Sequence, residues 1–137
     1  MIVLKSARGF KGIKTPILTL GNFDGIHLGH RRIISKVAAK AKKEGVASVV
    51  YTFEPHPLKV MAPHDSPPLL LDMEDKTRLI GELGIDYLVL AEFTKGFAAT
   101  HPRHFVEDVL IKGLGVKEVW VGHDFSFGRG RSGTVEY

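Results

Sequence analysis

Two histidines one helical turn apart stand at the start of an amphipathic segment. His27 and His30 are three residues apart, so on a helix they lie on one face. Gly29 stands between them and, because it has no Cβ, lets a ligand approach the backbone closely. The first N–H groups of a helix have no intrahelical acceptor, and the helix dipole favours an anion beside them. These residue types at this spacing predict a phosphate-binding site.

The elements that must position this pair follow from the hydrophobic pattern. Residues 16–20 are nearly all apolar, which predicts a strand buried on both faces of a parallel sheet. The turn GNFDG at 21–25 leads into a helix over about 27–44, which Gly45 is expected to end. The predicted core face of that helix is Ile33, Ile34, Val37, Ala38 and Ala41. Its predicted solvated face carries Lys36, Lys40, Lys42 and Lys43.

The remaining pattern alternates strands with helices, which predicts an α/β sheet with right-handed crossovers. The predicted strands are 2–4, at an edge, and 16–20, 47–53, 86–91 and 117–121. One helix is predicted over 73–83, capped by Asp72 and ended by Gly84, with Leu79, Ile80 and Leu83 facing inward. Another is predicted after Thr100, with Phe105, Val106, Val109 and Leu110 as its apolar stripe and with His101 and His104 exposed.

Two further loops follow predicted strands and should open at the same crevice, because loops at the carboxyl ends of parallel strands line the ligand site. Pro55 and Pro57 force a stiff exit after the second core strand. Segment 122–133 holds four glycines and two arginines in twelve residues. Arg129 and Arg131 suit bidentate contacts with phosphate. From composition alone, a plain rigid exit and a solvated basic turn remain open for these two loops.

Composition bounds the class of protein. The chain has 137 residues, 44% of them hydrophobic and 25% charged, as expected of one globular domain with a real core. There is no cysteine, no apolar run near the ~20 residues of a membrane span and no apolar segment like that of a signal peptide in 1–14. A net charge of +4 suits nucleotide polyanions and is too weak to indicate nucleic acid. We therefore expect a cytoplasmic protein with no membrane or nucleic-acid partner.

Three strings carry a resemblance to a known family. GNFDGIHLGH (21–30) contains the HxGH signature of the nucleotidyltransferase superfamily and resembles the opening of bacterial FAD synthetases. TFEPHP (52–57) and VGHDFSFGRGRSG (121–133) resemble the second signature and the GxDFxFGxxRxG stretch of that family, in the same order. The resemblance implies a Rossmann-like nucleotidyltransferase fold, mainly a parallel sheet flanked by helices.

The same resemblance implies a reaction and assigns residues to it. The FMN adenylyltransferase module of bifunctional riboflavin kinase/FAD synthetase proteins joins ATP and FMN into FAD and pyrophosphate, with Mg²⁺ on the phosphates. The catalytic pair would be His27 and His30. ATP binding is assigned to Gly21, Asn22, Phe23, Asp24 and Gly29. Flavin binding is assigned to Pro55, Pro57, Asp124 and Phe127. The phosphate contact expected of Arg129 and Arg131 rests on their residue type instead. No protein metal ligand is assigned.

The sequence departs from the family at its end. A later signature resembling ISSTxxR is missing before Tyr137, and no riboflavin kinase module follows. We therefore expect 1–137 to be a single adenylyltransferase domain without its C-terminal end, with a kinase module on a longer or separate chain. Two alternatives stay open. One is a sister nucleotidyltransferase acting on nicotinamide mononucleotide, phosphopantetheine or glycerol phosphate, and the other is a non-catalytic nucleotide or flavin binder.

Overall fold

A five-stranded sheet carries two described helices in the computed structural model. The structure describes residues 1–5, 15–23, 26, 28–54, 73–92, 95, 99, 104–105, 107, 110–111 and 114–121. The strands are β1 (Ile2–Leu4), β2 (Ile17–Leu20), β3 (Ser48–Glu54), β4 (Tyr87–Glu92) and β5 (Glu118–Val121). The helices are α1 (Leu28–Glu44) and α2 (Met73–Glu82). The predicted α/β class is confirmed.

The strand order is β1-β4-β3-β2-β5, and every pairing is parallel. The chain runs from β2 through β3 to β4 in one direction, and β5 then pairs with the other side of β2. In such open sheets, ligands bind outside the carboxyl ends of the strands at the point where the order reverses. Here that point lies between β2 and β5, where Leu20 and Val121 are register partners.

Strand β2 contributes to the core on both faces of the sheet. All four of its residues are buried, as the apolar run predicted. Ile17 belongs to the hydrophobic cluster that includes α1 and α2, whereas Leu18 and Leu20 belong to the cluster with Phe105 and Leu110. The sheet is therefore covered on both faces, which is the reason for a continuous apolar run rather than an alternating one.

Helix α1 lies against the sheet through Ile34, Val37 and Ala41, which are buried as predicted. Of the other two residues of the predicted core face, Ala38 is half-buried against the same cluster and Ile33 is half-buried outside it. Gly45 ends the helix at a φ of 70°, a left-handed conformation that favours glycine. Its N–H donates to the Lys42 carbonyl at 3.3 Å, and the Val46 N–H donates to the Ala41 carbonyl at 2.9 Å. This pair of bonds is a Schellman motif, so the predicted stop is confirmed.

One surface prediction for α1 is wrong. Lys40 is half-buried rather than solvated, because α1 packs beside β5 and brings a carboxylate to it. Lys40 Nζ lies 2.6 Å from Glu118 Oε1 and 5.6 Å from the centre of the Trp120 ring. The hydrogen bond to Glu118 raises the pKa of Lys40. Lys36, Lys42 and Lys43 are exposed as expected.

The other predicted strands and α2 agree within one or two residues, whereas most of the helix predicted after Thr100 lies outside the described residues. β3, β4 and β5 begin one residue later than expected, and β3 and β4 also end one residue later. In α2, Ile80 is buried and Leu79 and Leu83 pack against the same cluster. The described residues do not include Asp72, Thr100, His101, Val106 or Val109. Phe105 and Leu110 are buried, and His104 is exposed. Neither described helix is both long enough and apolar enough to span a bilayer.

Tyr51 gives the core a measurable pH dependence. Its ring meets those of Phe53 and Phe105 edge-on, each at 5.7 Å between centroids, and burial raises the pKa of Tyr51 to about 12. A raised folded-state pKa means that this stability is intact below the unfolded value near 10 and is lost as pH rises through about 12.

We therefore expect the free energy of unfolding to fall by roughly 1–3 kcal/mol more in the wild type than in Tyr51→Phe between pH 10 and 12. Urea titrations at several pH values measure both proteins. Subtracting the Tyr51→Phe curve removes the contributions of lysines and other tyrosines. Parallel pH curves for the two proteins would contradict a neutral, buried Tyr51.

Candidate functional site

The turn after β2 is attached to the neighbouring strand. The Gly21 N–H donates to the Tyr51 carbonyl at 3.1 Å, which continues the β2–β3 ladder by one bond. The next residue, Asn22, accepts a hydrogen bond through its backbone carbonyl from Thr52 Oγ1 at 3.1 Å. The chain therefore leaves the sheet with a fixed direction rather than as a loose loop.

Two bulky residues in this turn have left-handed backbone conformations. Phe23 has a φ of 51° and Ile26 a φ of 44°, which cost energy for residues with a Cβ, above all a branched one. Both side chains are buried in the cluster that α1 and α2 share. Their burial offsets the backbone strain, since each would otherwise expose a large apolar surface.

Phe23 folds back over Gly21 and also contacts His30. A Cβ on residue 21 would lie only 3.0 Å from Cζ of Phe23, so the ring takes the space that the glycine leaves. The Phe23 ring meets the His30 imidazole edge-on, at 5.3 Å between centroids and 87° between planes. The Phe23 ring thus forms one side of the space that His30 occupies. We call this space, between Phe23 and the first turn of α1, the seat of His30.

The N-terminus of α1 opens at this seat. Gly29 and His30 lie in its first turn, which contains no acidic residue that would compete for an anion. Arg31 Nε donates to the Ile26 carbonyl at 3.3 Å and ties the helix to the end of the turn. A helix start beside a half-buried imidazole can hold phosphate oxygens through backbone N–H groups and a ring N–H.

One residue of the site was missed from the sequence. Lys76 in α2 is only 6% exposed, and its ammonium donates to the same Asn22 carbonyl that Thr52 contacts. The signal was its spacing, since it lies four residues before Ile80 on the buried stripe of the helix. A lysine on the buried stripe of a helix is a candidate for a buried ammonium, which then needs protein acceptors.

The structure brings together part of the predicted site. The predicted residues that it places around the start of α1 are Gly21, Asn22, Phe23, Gly29 and His30. The others lie outside the described residues: His27, Asp24, Pro55, Pro57, Asp124, Phe127, Arg129 and Arg131. The described chain reaches Glu54 in β3 and Val121 in β5, so both predicted loops begin at the same sheet edge as the turn.

The described residues offer little to a metal ion. No three His, Cys, Asp or Glu side chains among them come together in a way that could hold one. Asn22 Oδ1 is buried and has no hydrogen-bond partner among these residues, so it is one oxygen that the turn could offer. A lone amide oxygen does not make an Mg²⁺ site, but it is compatible with an ion that arrives on phosphate oxygens and keeps its water.

Fold and site together define a Rossmann-like α/β domain with a helix N-terminus beside the reversal of strand order, which is where open α/β sheets bind their ligands. The sequence profile of the family described as FAD synthetase matches residues 11–137. The chain belongs to the FAD synthetase family.

Individual relatives agree with this assignment. A bifunctional riboflavin kinase/FMN adenylyltransferase of Escherichia coli K12 is 40% identical over 117 residues, covering 85% of this chain and 37% of that protein. The protein of the same name from Bacillus subtilis is 36% identical over 121 residues, covering 88% of this chain and 38% of its own length. The chain thus spans about two fifths of these relatives.

A solved structure shares the fold. A Streptococcus pneumoniae protein described as a macrolide-efflux protein superposes with a TM-score of 0.77 at 26% identity. The match covers 93% of this chain and 43% of that one. The likeness supports the α/β architecture.

Proposed function

We propose that this chain transfers the adenylyl group of ATP to FMN, giving FAD and pyrophosphate. The observation that carries the proposal is the position of His30 against Phe23 at the start of α1, beside the reversal of strand order. The chain that places it there belongs to the FAD synthetase family. The relatives that are named for FMN adenylyltransfer support the choice of acceptor.

The chemistry needs no enzyme nucleophile. A phosphate oxygen of FMN attacks the α-phosphorus of ATP, and the bond from that phosphorus to the oxygen bridging to the β-phosphate breaks in line. Pyrophosphate leaves with the electron pair, and positioning and electrostatics dominate such transfers. His30, together with His27, would hold phosphate oxygens as negative charge moves toward the leaving group.

Backbone N–H groups at the start of α1 would add to this stabilisation without moving, because the Schellman stop and the buried face keep the helix in place. Mg²⁺ would be bound mainly by phosphate oxygens and water, and it would neutralise phosphate charge. Asn22 and Asp24 are the turn residues that we expect nearest to the ion's water. Mg²⁺ on the phosphates and a cytoplasmic location are further predictions of this proposal.

The acceptor is tested by pyrophosphate release from ATP. We expect release with FMN and not with nicotinamide mononucleotide, phosphopantetheine or glycerol phosphate, and we expect FAD as the second product. Release with one of the other acceptors would replace this proposal with a sister nucleotidyltransferase. Tight binding of FMN and ATP without turnover in the natural protein would indicate a binding protein instead. We further propose that a riboflavin kinase module accompanies the chain, as the names of its relatives suggest.

The flavin side of the site supplies a separate prediction. By resemblance to the family, Phe127 offers a flat wall to the isoalloxazine ring and Asp124 a polar contact. Replacing Phe127 by Ala should remove ~1–3 kcal/mol of ring contact, as aromatic stacking on bases does. The Kd of FMN would then rise roughly 5- to 150-fold, while ATP affinity stays nearly constant.

Flavin fluorescence titrations of both proteins measure this change, and ATP binding is measured separately as the control. Equal FMN affinity would make Phe127 a structural residue. A matched loss of ATP binding would mean that the substitution had damaged the fold.

A further inference from the structure

We propose that Lys76 is a positioning residue for the adenylyl transfer. It fixes the peptide between Asn22 and Phe23 through a hydrogen bond to the Asn22 carbonyl, and through the Phe23 ring it fixes the position of His30. This inference rests on the proposed function. Lys76 is in α2, far along the chain from the histidine motif, and it belongs to none of the three strings that carry the family resemblance.

The first argument is burial. A lysine with 6% of its surface exposed has lost most of the water around its ammonium, which is costly unless protein oxygens replace that water. One of those oxygens is the Asn22 carbonyl, which also accepts from Thr52 Oγ1 at 3.1 Å. A carbonyl oxygen has two lone pairs, so the two side chains together saturate it.

The second argument is what that carbonyl controls. It belongs to the peptide between Asn22 and Phe23, and Phe23 has the strained φ of 51°. Rotation of this peptide plane would release the strain and take the carbonyl away from both donors, which would loosen the turn whose Phe23 ring contacts His30 edge-on at 5.3 Å. Donors from α2 and β3 on one oxygen oppose that rotation. Lys76 therefore acts on the histidine through the turn.

The experiment compares Lys76→Met, Thr52→Val and the double variant in the natural protein, with Lys36→Met as the matched control on an exposed lysine of α1. Methionine keeps the length and volume of the side chain and removes its donors and charge. The Asn22 carbonyl keeps its hydrogen bond from Thr52 Oγ1 in this variant, so that buried acceptor is not left unpaired. We therefore expect thermal stability close to wild type.

We expect Lys76→Met to lower kcat about tenfold to 100-fold, as a misplacement near 1 Å does, with the KM for FMN within about threefold. Thr52→Val should lower kcat less. The double variant should lose less than the product of the two single effects, because both residues hold one carbonyl. Multiplicative losses would overturn the proposal, since they would mean that the ammonium acts on the substrate independently of the turn. Wild-type kcat in Lys76→Met would overturn it as well.

A second measurement does not need turnover. The edge contact with Phe23 places the imidazole protons of His30 in a ring-current field, so their NMR resonances report the seat directly. We expect these resonances to shift in Lys76→Met and Thr52→Val and to stay in place in Lys36→Met. Unshifted resonances in the free protein would overturn the inference. This arm remains decisive if the protein makes no FAD.

Should Lys76→Met fail to fold, Lys76→Gln takes its place in both measurements. Glutamine keeps an N–H donor on a shorter, neutral side chain, and it should therefore show a smaller kcat loss and a smaller shift in the same directions. Wild-type kcat together with unshifted His30 resonances would again overturn the proposal.

Discussion

Replacing His30 by alanine is expected to lower kcat by roughly 100-fold or more, with FMN affinity nearly unchanged. The reason is that the imidazole contributes where charge develops, at the start of α1, and an interaction made mainly in the transition state affects kcat rather than ground-state binding. Steady-state rates of FAD formation and FMN titrations of the natural protein measure the two quantities. The same change at His27 should have an effect of similar size.

His104→Ala is the matched control, because His104 is exposed and lies on a different part of the chain from the turn and α1. It should leave kcat and stability close to wild type. Near wild-type turnover in His30→Ala would remove this histidine from the mechanism. An equal loss of kcat in His104→Ala would mean that the effect of His30→Ala is not specific to the start of α1.

Replacing Phe23 by alanine is expected to damage both stability and turnover. The ring is 4% exposed, and truncating a buried phenylalanine costs about 3–5 kcal/mol. Turnover should fall as well, because the Phe23 ring contacts the His30 imidazole. The burial of the ring also stabilises the strained backbone conformation of Phe23. Denaturant titrations give the stability loss, and kcat is measured where the variant is still folded.

Phe105→Ala is the control for Phe23→Ala. Phe105 is 2% exposed, but it belongs to the cluster on the opposite face of the sheet. We expect a similar loss of stability and a kcat per folded molecule close to wild type. If the two variants lost kcat equally, the effect of Phe23 would be a general consequence of a weakened core. Phe23→Leu and Phe105→Leu repeat the comparison with smaller stability losses.

Only some features of the site could be predicted from residues close in sequence. The positions of Gly29 and His30 at the start of a helix could be predicted, because capping, glycine freedom and helical spacing depend on neighbours in sequence. The strained φ values of Phe23 and Ile26 could not, because nothing local favours them. They persist only because both side chains are buried among residues from other elements.

The burial of Lys76 also depends on a residue that is distant in sequence. A lysine at a stripe position can snorkel to solvent, so spacing alone does not decide whether its ammonium is buried. Here the deciding contact is the Asn22 carbonyl, 54 residues earlier in the chain. Lys40 was misjudged for the same reason, since its partner Glu118 is 78 residues away.

By itself, the sequence determined the α/β class, most of the buried face of α1 and the motif strings that identify the family. It also determined the glycine stops at Gly45 and Gly84, which follow α1 and α2 at φ values of 70° and 94°. Each of these follows from periodicity or from residue types within a few positions. Helices, strands and turns have nearly the same backbone geometry in every protein, and that geometry depends on residues close in sequence. Only the tertiary structure decided the order β1-β4-β3-β2-β5, and with it the reversal beside β2 at which the site lies. Strand order depends on which distant segments bury each other's faces. The partners of Asn22 and the position of His30 beside Phe23 therefore exist only once the strands on both sides of β2 have paired with it.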